Sequence, residues 1–261
     1  MTTATIAYVQ WPDNLLAHGP EWDAIRRSVD AARADILVTN EMPFGPWAAQ
    51  HPAFDAAAAA RSVELHEKAL AALGDLGAGA VISSRPVAFD GRLANEAFVL
   101  EAGRYRCLHH KQYFPQEAGF FEEAWYAGGT PGFECMQIGA VKVGVLLCTE
   151  LFFNEHARHY GRQGADVIVT PRASGTSLHR WTTAGAMAAI VSGTCFVSSN
   201  RRGVAALGQT FGGYGFAMSS DGQLTGHTSD EAPLVIATID LERSREDKRL
   251  YPCYVKELPA P

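Results

Sequence analysis

Short runs of apolar residues alternate along the chain with longer segments in which apolar positions recur every three or four residues. The first run, Thr5-Ile-Ala-Tyr-Val-Gln10, predicts a strand, and residues 21–34 predict a helix with Trp22, Ile25 and Val29 at helical spacing. Ile36 to Asn40 predicts the next strand. The alanine-rich stretch from Phe54 to Leu73 predicts a helix closing at Gly74, and Gly79 to Ser84 a third strand. Asn95 to Glu101 and Arg104 to His110 flank Ala102-Gly103, the pattern of a hairpin with a tight turn. In the second half, an apolar run from Val141 to Leu147 precedes a helix over 152–163 that stops at Gly164. Val167 to Pro171 predicts a buried strand, Trp181 to Ser192 a helix and Cys195 to Asn200 another strand. Tyr214 to Ser220 and Val235 to Asp240 predict a terminal pair of strands around the turn Ser220-Asp-Gly-Gln. No linker, repeat or low-complexity tract interrupts the alternation, so residues 1–261 are expected to form one α/β domain with helices covering both halves of the sheet system.

Composition narrows the partners. A chain of 261 residues with 47% hydrophobic content can bury a core, which argues against disorder. A net charge of −6 and the lack of a basic run argue against nucleic acid and anionic membranes. The first residues show no basic region ahead of an apolar core, and nothing approaches the ~18 consecutive apolar residues of a membrane span. The expectation is a soluble, cytoplasmic protein. Five cysteines, Cys107, Cys135, Cys148, Cys195 and Cys253, contain no CxxC pair, so reduced thiols are expected rather than a disulfide framework or a zinc cluster. No metal and no cofactor are called for: His156 and His159 share a helical face without a third ligand, and Gly212-Gly213-Tyr-Gly215 is not a phosphate-cradling GxGxxG.

Three segments carry chemistry. Cys148 ends the run from Val141 and is followed by Thr149-Glu150 and a predicted helix, so its sulfur is expected at a strand's carboxyl end beside a helix N-terminus, where a thiol pKa falls. Ile36-Leu-Val-Thr-Asn-Glu41 is a strand ending in a carboxylate, and Arg104 to Lys111 a strand-like run ending in an ammonium. A Glu, a Lys and a Cys at three strand ends could converge on one rim. His109 and His110 fall on opposite faces of a regular strand, so at most one could reach Cys148 as in a papain-like pair, and no papain-type signature surrounds the cysteine.

The surroundings extend the pattern. Thr39-Asn-Glu41-Met-Pro43-Phe-Gly, then His110-Lys111-Gln-Tyr-Phe-Pro115 continuing through Phe120-Phe-Glu122-Glu-Ala-Trp125-Tyr126-Ala-Gly128, then Gly144-Val-Leu-Leu-Cys148-Thr-Glu150 and Gly164-Ala-Asp166-Val-Ile-Val-Thr-Pro171 occur in that order. With Phe211-Gly-Gly213 and Ala237-Thr-Ile239-Asp240, they resemble the nitrilase (carbon–nitrogen hydrolase) superfamily over nearly the whole chain. The resemblance implies an αββα sandwich that pairs with a second copy of itself, and a cofactor-free Glu-Lys-Cys triad. Cys148 would be the nucleophile and Glu41 the general base. Lys111 and the backbone N–H of Thr149 would stabilise the oxyanion, and Glu122, with Glu123 beside it, would orient Lys111 or the substrate. Trp125, Tyr126 and Arg172 are candidates to line the substrate pocket.

The chain departs from the family where members often carry Tyr-Asp, Trp-Asp or Trp-Glu after the cysteine, having Thr149-Glu150, and where Ala-x-Glu-Asn is usual, having Ala189-Ile-Val-Ser192. The second motif looks most like that of amidases acting on carbamoyl amines. The expected substrate is therefore a small amide or N-carbamoyl compound, with nitrile hydrolysis as the alternative within the superfamily. A non-catalytic binding homologue is the alternative of another class, against which stands the retention of all three triad residue types. The small, apolar helix carrying Ala184, Gly185, Ala186, Ala188 and Ala189, together with the helix over 152–163, is expected to form a homodimer interface.

Overall fold

In the computed structural model, which describes residues 2–257, the chain forms two six-stranded sheets, the early one completed by a late strand. The first half runs β1 (Thr3–Val9), α1 (Trp22–Ala32), β2 (Ile36–Val38), α2 (Ala56–Gly74), β3 (Ala80–Phe89), β4 (Arg92–Glu101) and β5 (Arg104–His110). A two-stranded ladder, β6 (Gln116–Glu117) and β7 (Phe120–Phe121), and the single turn α3 (Glu122–Trp125) lead to the second half. There follow β8 (Met136–Ile138), β9 (Val141–Val145), α4 (Asn154–Gln163), β10 (Val167–Arg172), α5 (Leu178–Ser192) and β11 (Cys195–Asn200). After a second small ladder, β12 (Arg202–Val204) and β13 (Thr210–Gly212), come β14 (Phe216–Met218), β15 (Leu224–His227), β16 (Leu234–Asp240) and α6 (Leu241–Asp247). The sheet orders are β16-β1-β2-β3-β4-β5 and β15-β14-β11-β10-β9-β8.

Strand periodicity explains the layering. Along β1, Ile6 and Tyr8 enter the core between the sheets while Ala7 and Val9 face the helices. The inner core joins Ile36, Val38 and Ile82 of one sheet to Val143, Val145, Val167 and Val169 of the other. Outside, Trp22, Val29, Ala69 and Leu73 of α1 and α2 cover the first sheet, and Ala157, Tyr160, Ala184 and Ala188 of α4 and α5 cover the second. The result is an αββα sandwich in which each strand of a buried pair is apolar on both faces. Among the described residues, no helix is long and apolar enough to cross a membrane.

Local signals act as their chemistry dictates. Asp55 Oδ1 accepts the N–H groups of Ala57 and Ala58 and caps α2. Gly164, at φ +82°, ends α4 in the left-handed conformation that favours glycine. Ala102-Gly103 makes the predicted tight turn, and Asp90-Gly91 makes a second one that joins β3 to β4, so the third strand runs past Ser84 to Phe89.

The predicted terminal strand pair does not form. The turn at Ser219–Gly222 joins β14 to β15 within the second sheet, whereas β16 crosses to the first and pairs antiparallel with the whole of β1, from Thr3 opposite Asp240 to Val9 opposite Leu234. The apolar core decides this: Ile239 and Leu241 fill the inner layer at the edge of β1, a place β14 cannot reach from its position beside β11. The small residues of α5 also serve the chain itself. A Cβ on Gly185 would lie 2.6 Å from the Phe216 ring, and one on Gly161 of α4 would lie 2.4 Å from the Ser192 carbonyl oxygen of α5. Outward, α5 presents Leu178 and Met187.

Candidate active site

All the parallel strands end at one rim. β2 runs parallel to β1 and β3, and β5 runs with them because each of β3–β4 and β4–β5 is antiparallel; β9, β10 and β11 are parallel to one another. Glu41 lies just beyond β2, Lys111 directly after β5, Cys148 just beyond β9 and Ala173 directly after β10. Ligand sites of α/β sheets lie outside such carboxyl ends because the chain leaves the sheet there and frees its side chains.

Lys111 is completely buried, with Nζ 2.8 Å from Glu41 Oε1 and 2.6 Å from Glu122 Oε2, both carboxylates buried as well. Burial works against the ammonium, but Glu122 and Glu41 outweigh it and hold its pKa well above the ordinary value. Two carboxylates sharing one cation cannot both be fully satisfied. Burial pushes Glu122 up to about 7, with Lys111 pulling back and Glu41 pushing further, and Glu122 Oε1 has no hydrogen-bond partner. Of the adjacent glutamates only Glu122 turns inward; Glu123 is exposed.

Glu41 is held on both oxygens. Oε1 also accepts from Asn95 Nδ2 at 2.8 Å, and Oε2 accepts the Ala173 N–H at 3.1 Å. That same N–H favours a thiolate at Cys148, so Ala173 joins base and sulfur across the two sheets. Glu41 and Lys111 come from the first sheet, Cys148 from the second.

Cys148 departs from the expectation drawn from its sequence position. It sits at φ +47°, in the left-handed region that costs a non-glycine residue about 1 kcal/mol, and opens a turn of 3-10 helix, Cys148–Phe152; α4 begins only at Asn154. Its sulfur therefore does not rest on an α-helix N-terminus, and its pKa is not lowered. Burial pushes the thiol up, the Glu41 carboxylate pushes it further, and Lys111 and the Ala173 N–H only partly offset them. The resting group is a thiol, and its proton needs an acceptor.

The 3-10 turn is pinned by Glu150. Its Oε2 accepts the Leu147 N–H at 2.7 Å and stands 2.9 Å from His109 Nε2, and its Oε1 accepts the Gln112 N–H at 2.8 Å. One buried carboxylate thus ties the nucleophile turn to the residue after Lys111. Asn95 and the backbone of Ala173 were not singled out from sequence, and Glu150 was noted only as a departure after the cysteine, without this role. A polar residue inside an otherwise apolar strand was the available signal for Asn95, and a carboxylate two residues past the cysteine the signal for Glu150.

His109 and His110 do point apart. His109 meets Glu150 rather than Cys148, while His110 accepts the Thr130 N–H on Nδ1 at 3.1 Å and directs Nε2 to Glu96 at 3.4 Å. Glu96, Cys107 and His110 bring potential metal-ligating atoms within 4.8 Å of one another. The hydrogen bond from Thr130 fixes the proton on Nε2, the nitrogen a metal would need, so this trio is arranged for hydrogen bonding. Trp125 is buried against Phe54 and donates its indole N–H to the His51 carbonyl, and the Tyr126 hydroxyl donates to Met42 Sδ. Arg172 is buried among Ser198, Ser174 and Tyr214. His156 stacks on Phe133, and His159 is exposed.

Comparison with known proteins agrees with this architecture. The sequence profile of the carbon–nitrogen hydrolases matches residues 5–249. The chain is 28% identical over 163 residues to the N-carbamoylputrescine amidase of Solanum tuberosum, an overlap of 56% of this chain and 54% of that one, so it spans about half the length of the curated relatives it matches. A carbon–nitrogen hydrolase from Helicobacter pylori G27 superposes with a TM-score of 0.84 at 22% identity, covering 97% of this chain and 94% of that one. A mutant of the amidase from Nesterenkonia sp. AN1, showing covalent addition of the acetamide moiety of fluoroacetamide at its active-site cysteine, superposes with a TM-score of 0.75 at 19% identity, 94% of each chain being covered. These two likenesses show the fold.

Proposed function

Because the chain belongs to the carbon–nitrogen hydrolase family, we propose that it hydrolyses a non-peptide C–N bond of a small amide or N-carbamoyl compound through a thioester on Cys148. The supporting observation is the fully buried Glu41–Lys111–Glu122 group held beside a buried thiol whose pKa is raised. A raised thiol needs a base, and Glu41, held by the Ala173 N–H, is the carboxylate whose charge acts most on it.

In the first half-reaction Glu41 takes the thiol proton as sulfur attacks the acyl carbon, and the oxyanion forms against Lys111 and the Thr149 N–H. The first N–H groups of a helical turn have no partner within it, which leaves Thr149 available as a donor. The tetrahedral intermediate collapses, the C–N bond breaks, and the leaving nitrogen takes the proton from Glu41. In the second half-reaction Glu41 deprotonates water, which attacks the thioester; the C–S bond breaks and Cys148 recovers its proton. An amide yields a carboxylic acid and ammonia; an N-carbamoyl compound yields its amine and carbamic acid, which breaks down to carbon dioxide and ammonia. Glu122 orients Lys111 and keeps it charged. The Nesterenkonia adduct supports a covalent route in this fold.

The same reading places the protein in the cytoplasm, where five unpaired thiols fit a reducing compartment. It also pairs two copies through the outer faces of α4 and α5 and the 3-10 turn ahead of α4, where Phe152, Leu178 and Met187 are exposed.

The deciding experiment is ammonia release over a panel of amides, N-carbamoyl amines and nitriles, with mass spectrometry of the enzyme quenched during turnover of a slow substrate. An acyl adduct is expected on the peptide containing Cys148. An adduct on Cys107, Cys135, Cys195 or Cys253 overturns the assignment, and turnover of nitriles alone moves the reading to a nitrilase.

A further inference from the structure

Three long cationic side chains are fully buried: Lys111, Arg172 and Arg201. Two have counter-charges. Lys111 has Glu41 and Glu122, and Arg201 has Asp13 at 2.5 Å. Arg172 is 1% exposed and, among the described residues, forms no ion pair. A desolvated cation without an anion is costly, and proteins keep such groups where something else supplies the charge.

The surroundings of Arg172 hold the guanidinium without neutralising it. Nε donates to Ser198 Oγ at 2.7 Å, Nη1 to Ser174 Oγ at 2.7 Å and Nη2 to the Tyr214 carbonyl at 3.0 Å. The rings of Trp181 and Phe216 lie 4.8 and 5.2 Å from Cζ. Every one of these partners is neutral. Each terminal nitrogen carries two hydrogens and spends one, so Nη1 and Nη2 keep one donor each, the paired arrangement that a carboxylate accepts. Burial pushes the Arg172 pKa down to about 10, and the negative charges acting to raise it are those of Cys148 and Glu41. The next residue, Ala173, gives its N–H to Glu41 Oε2, and that N–H also favours the anionic form of Cys148. The unpaired cation thus belongs to the residue directly before the one whose N–H binds Glu41, at the carboxyl end of β10.

We infer that Arg172 docks a carboxylate carried by the substrate, which makes the substrate class a short acid bearing its scissile amide or N-carbamoyl group at the other end. The inference rests on the hydrolase reading and deepens it. It also separates this chain from the substrate named for its Solanum tuberosum relative, because a protonated amine tail would meet a buried cation of the same sign.

Two readouts test it. In turnover, succinamate and N-carbamoyl-β-alanine are compared with the neutral amide butyramide and with cationic N-carbamoylputrescine. The carboxylates are expected to be favoured by at least about 10²-fold in kcat/KM, and Arg172→Met should collapse that ratio, with Arg172→Lys intermediate. In binding, succinate as a product analogue should raise the Tm of the wild type and protect Cys148 from alkylation, and should do neither in Arg172→Met. If that variant does not fold, the wild-type preference and the Arg172→Lys variant still decide. Equal turnover of neutral and acidic amides overturns the inference and leaves the hydrolase reading standing. Succinate binding without ammonia release from any substrate overturns the hydrolase reading and supports the anion site, and no protection by succinate overturns the site itself.

Discussion

The molecule brings a carboxylate, a thiol and a basic side chain together in two places, and only one of the two has the makings of a reactive centre. Glu41, Lys111 and Cys148 meet at the sheet rim; Glu96, His110 and Cys107, with Arg85 beside them, meet on β4 and β5. Both thiols are pushed up, first by burial and then by a neighbouring carboxylate, Cys107 to about 12. The difference lies in what would receive the anion. Cys107 is exposed and lies near Glu96, while the Arg85 cation is already engaged by Glu96 and Glu67. Cys148 is buried and faces Lys111 and the Ala173 N–H. A carboxylate close to a thiol is thus no sign of a nucleophile by itself. Enclosed donors aimed at the future charge make the distinction, since they act where water cannot screen them.

The sharpest break of that comparison is a pair of alanine variants. Cys148→Ala should reduce ammonia release to background with the fold intact by circular dichroism, whereas Cys107→Ala should run near the wild-type rate. Equal losses would erase the contrast. Next come the groups that differ between the clusters: Glu41→Gln should lower kcat by about 10²–10³, as for loss of a group acting in the transition state. Lys111→Ala should lose as much and, by stranding two buried carboxylates, should also be destabilised by about 3–5 kcal/mol in urea melts. An unchanged melt would mean that the carboxylates are not charged together. Smaller still, Glu150→Ala leaves the Leu147 and Gln112 N–H groups without their acceptor and should cost about 2–4 kcal/mol, raising KM and lowering kcat together.

The mildest effect is a pH slope. Glu122 titrates at about 7 in the folded chain against 4.5 ordinarily, so the native state holds its proton longer than the unfolded chain does. The resulting stability is fully present below pH 4.5, is lost as pH rises toward about 7, and changes no further above it. Glu122→Gln should flatten stability between pH 4.5 and 7. An unchanged slope would assign the titration to another group.

Much of this was legible in the sequence because it is local. The strand at 36–38, the alanine-rich helix capped by Asp55, the turn at Ala102-Gly103 and the ends carrying Glu41, Lys111 and Cys148 all announce themselves within a few residues. What escaped is decided at long range. Residues 235–240 read as a strand, but nothing in them says that β1 rather than β14 is the partner. The Cys148 pKa escaped likewise, because it depends on Glu41 from another sheet and on a 3-10 turn that delays the helix to Asn154. Glu122 and Glu123 are neighbours in sequence, and only their opposite burial separates them.

Glu41 and Lys111 follow early strands of one sheet, and Cys148 follows a later strand of the other. During synthesis, then, neither half carries a working centre: the early half is a base and a cation with no nucleophile, and the late half a protonated thiol with no base. The proposed centre is complete only when the two faces close on each other and exclude water. On the proposed reading, turnover would report complete docking, and a misassembled or half-translated chain would be inert.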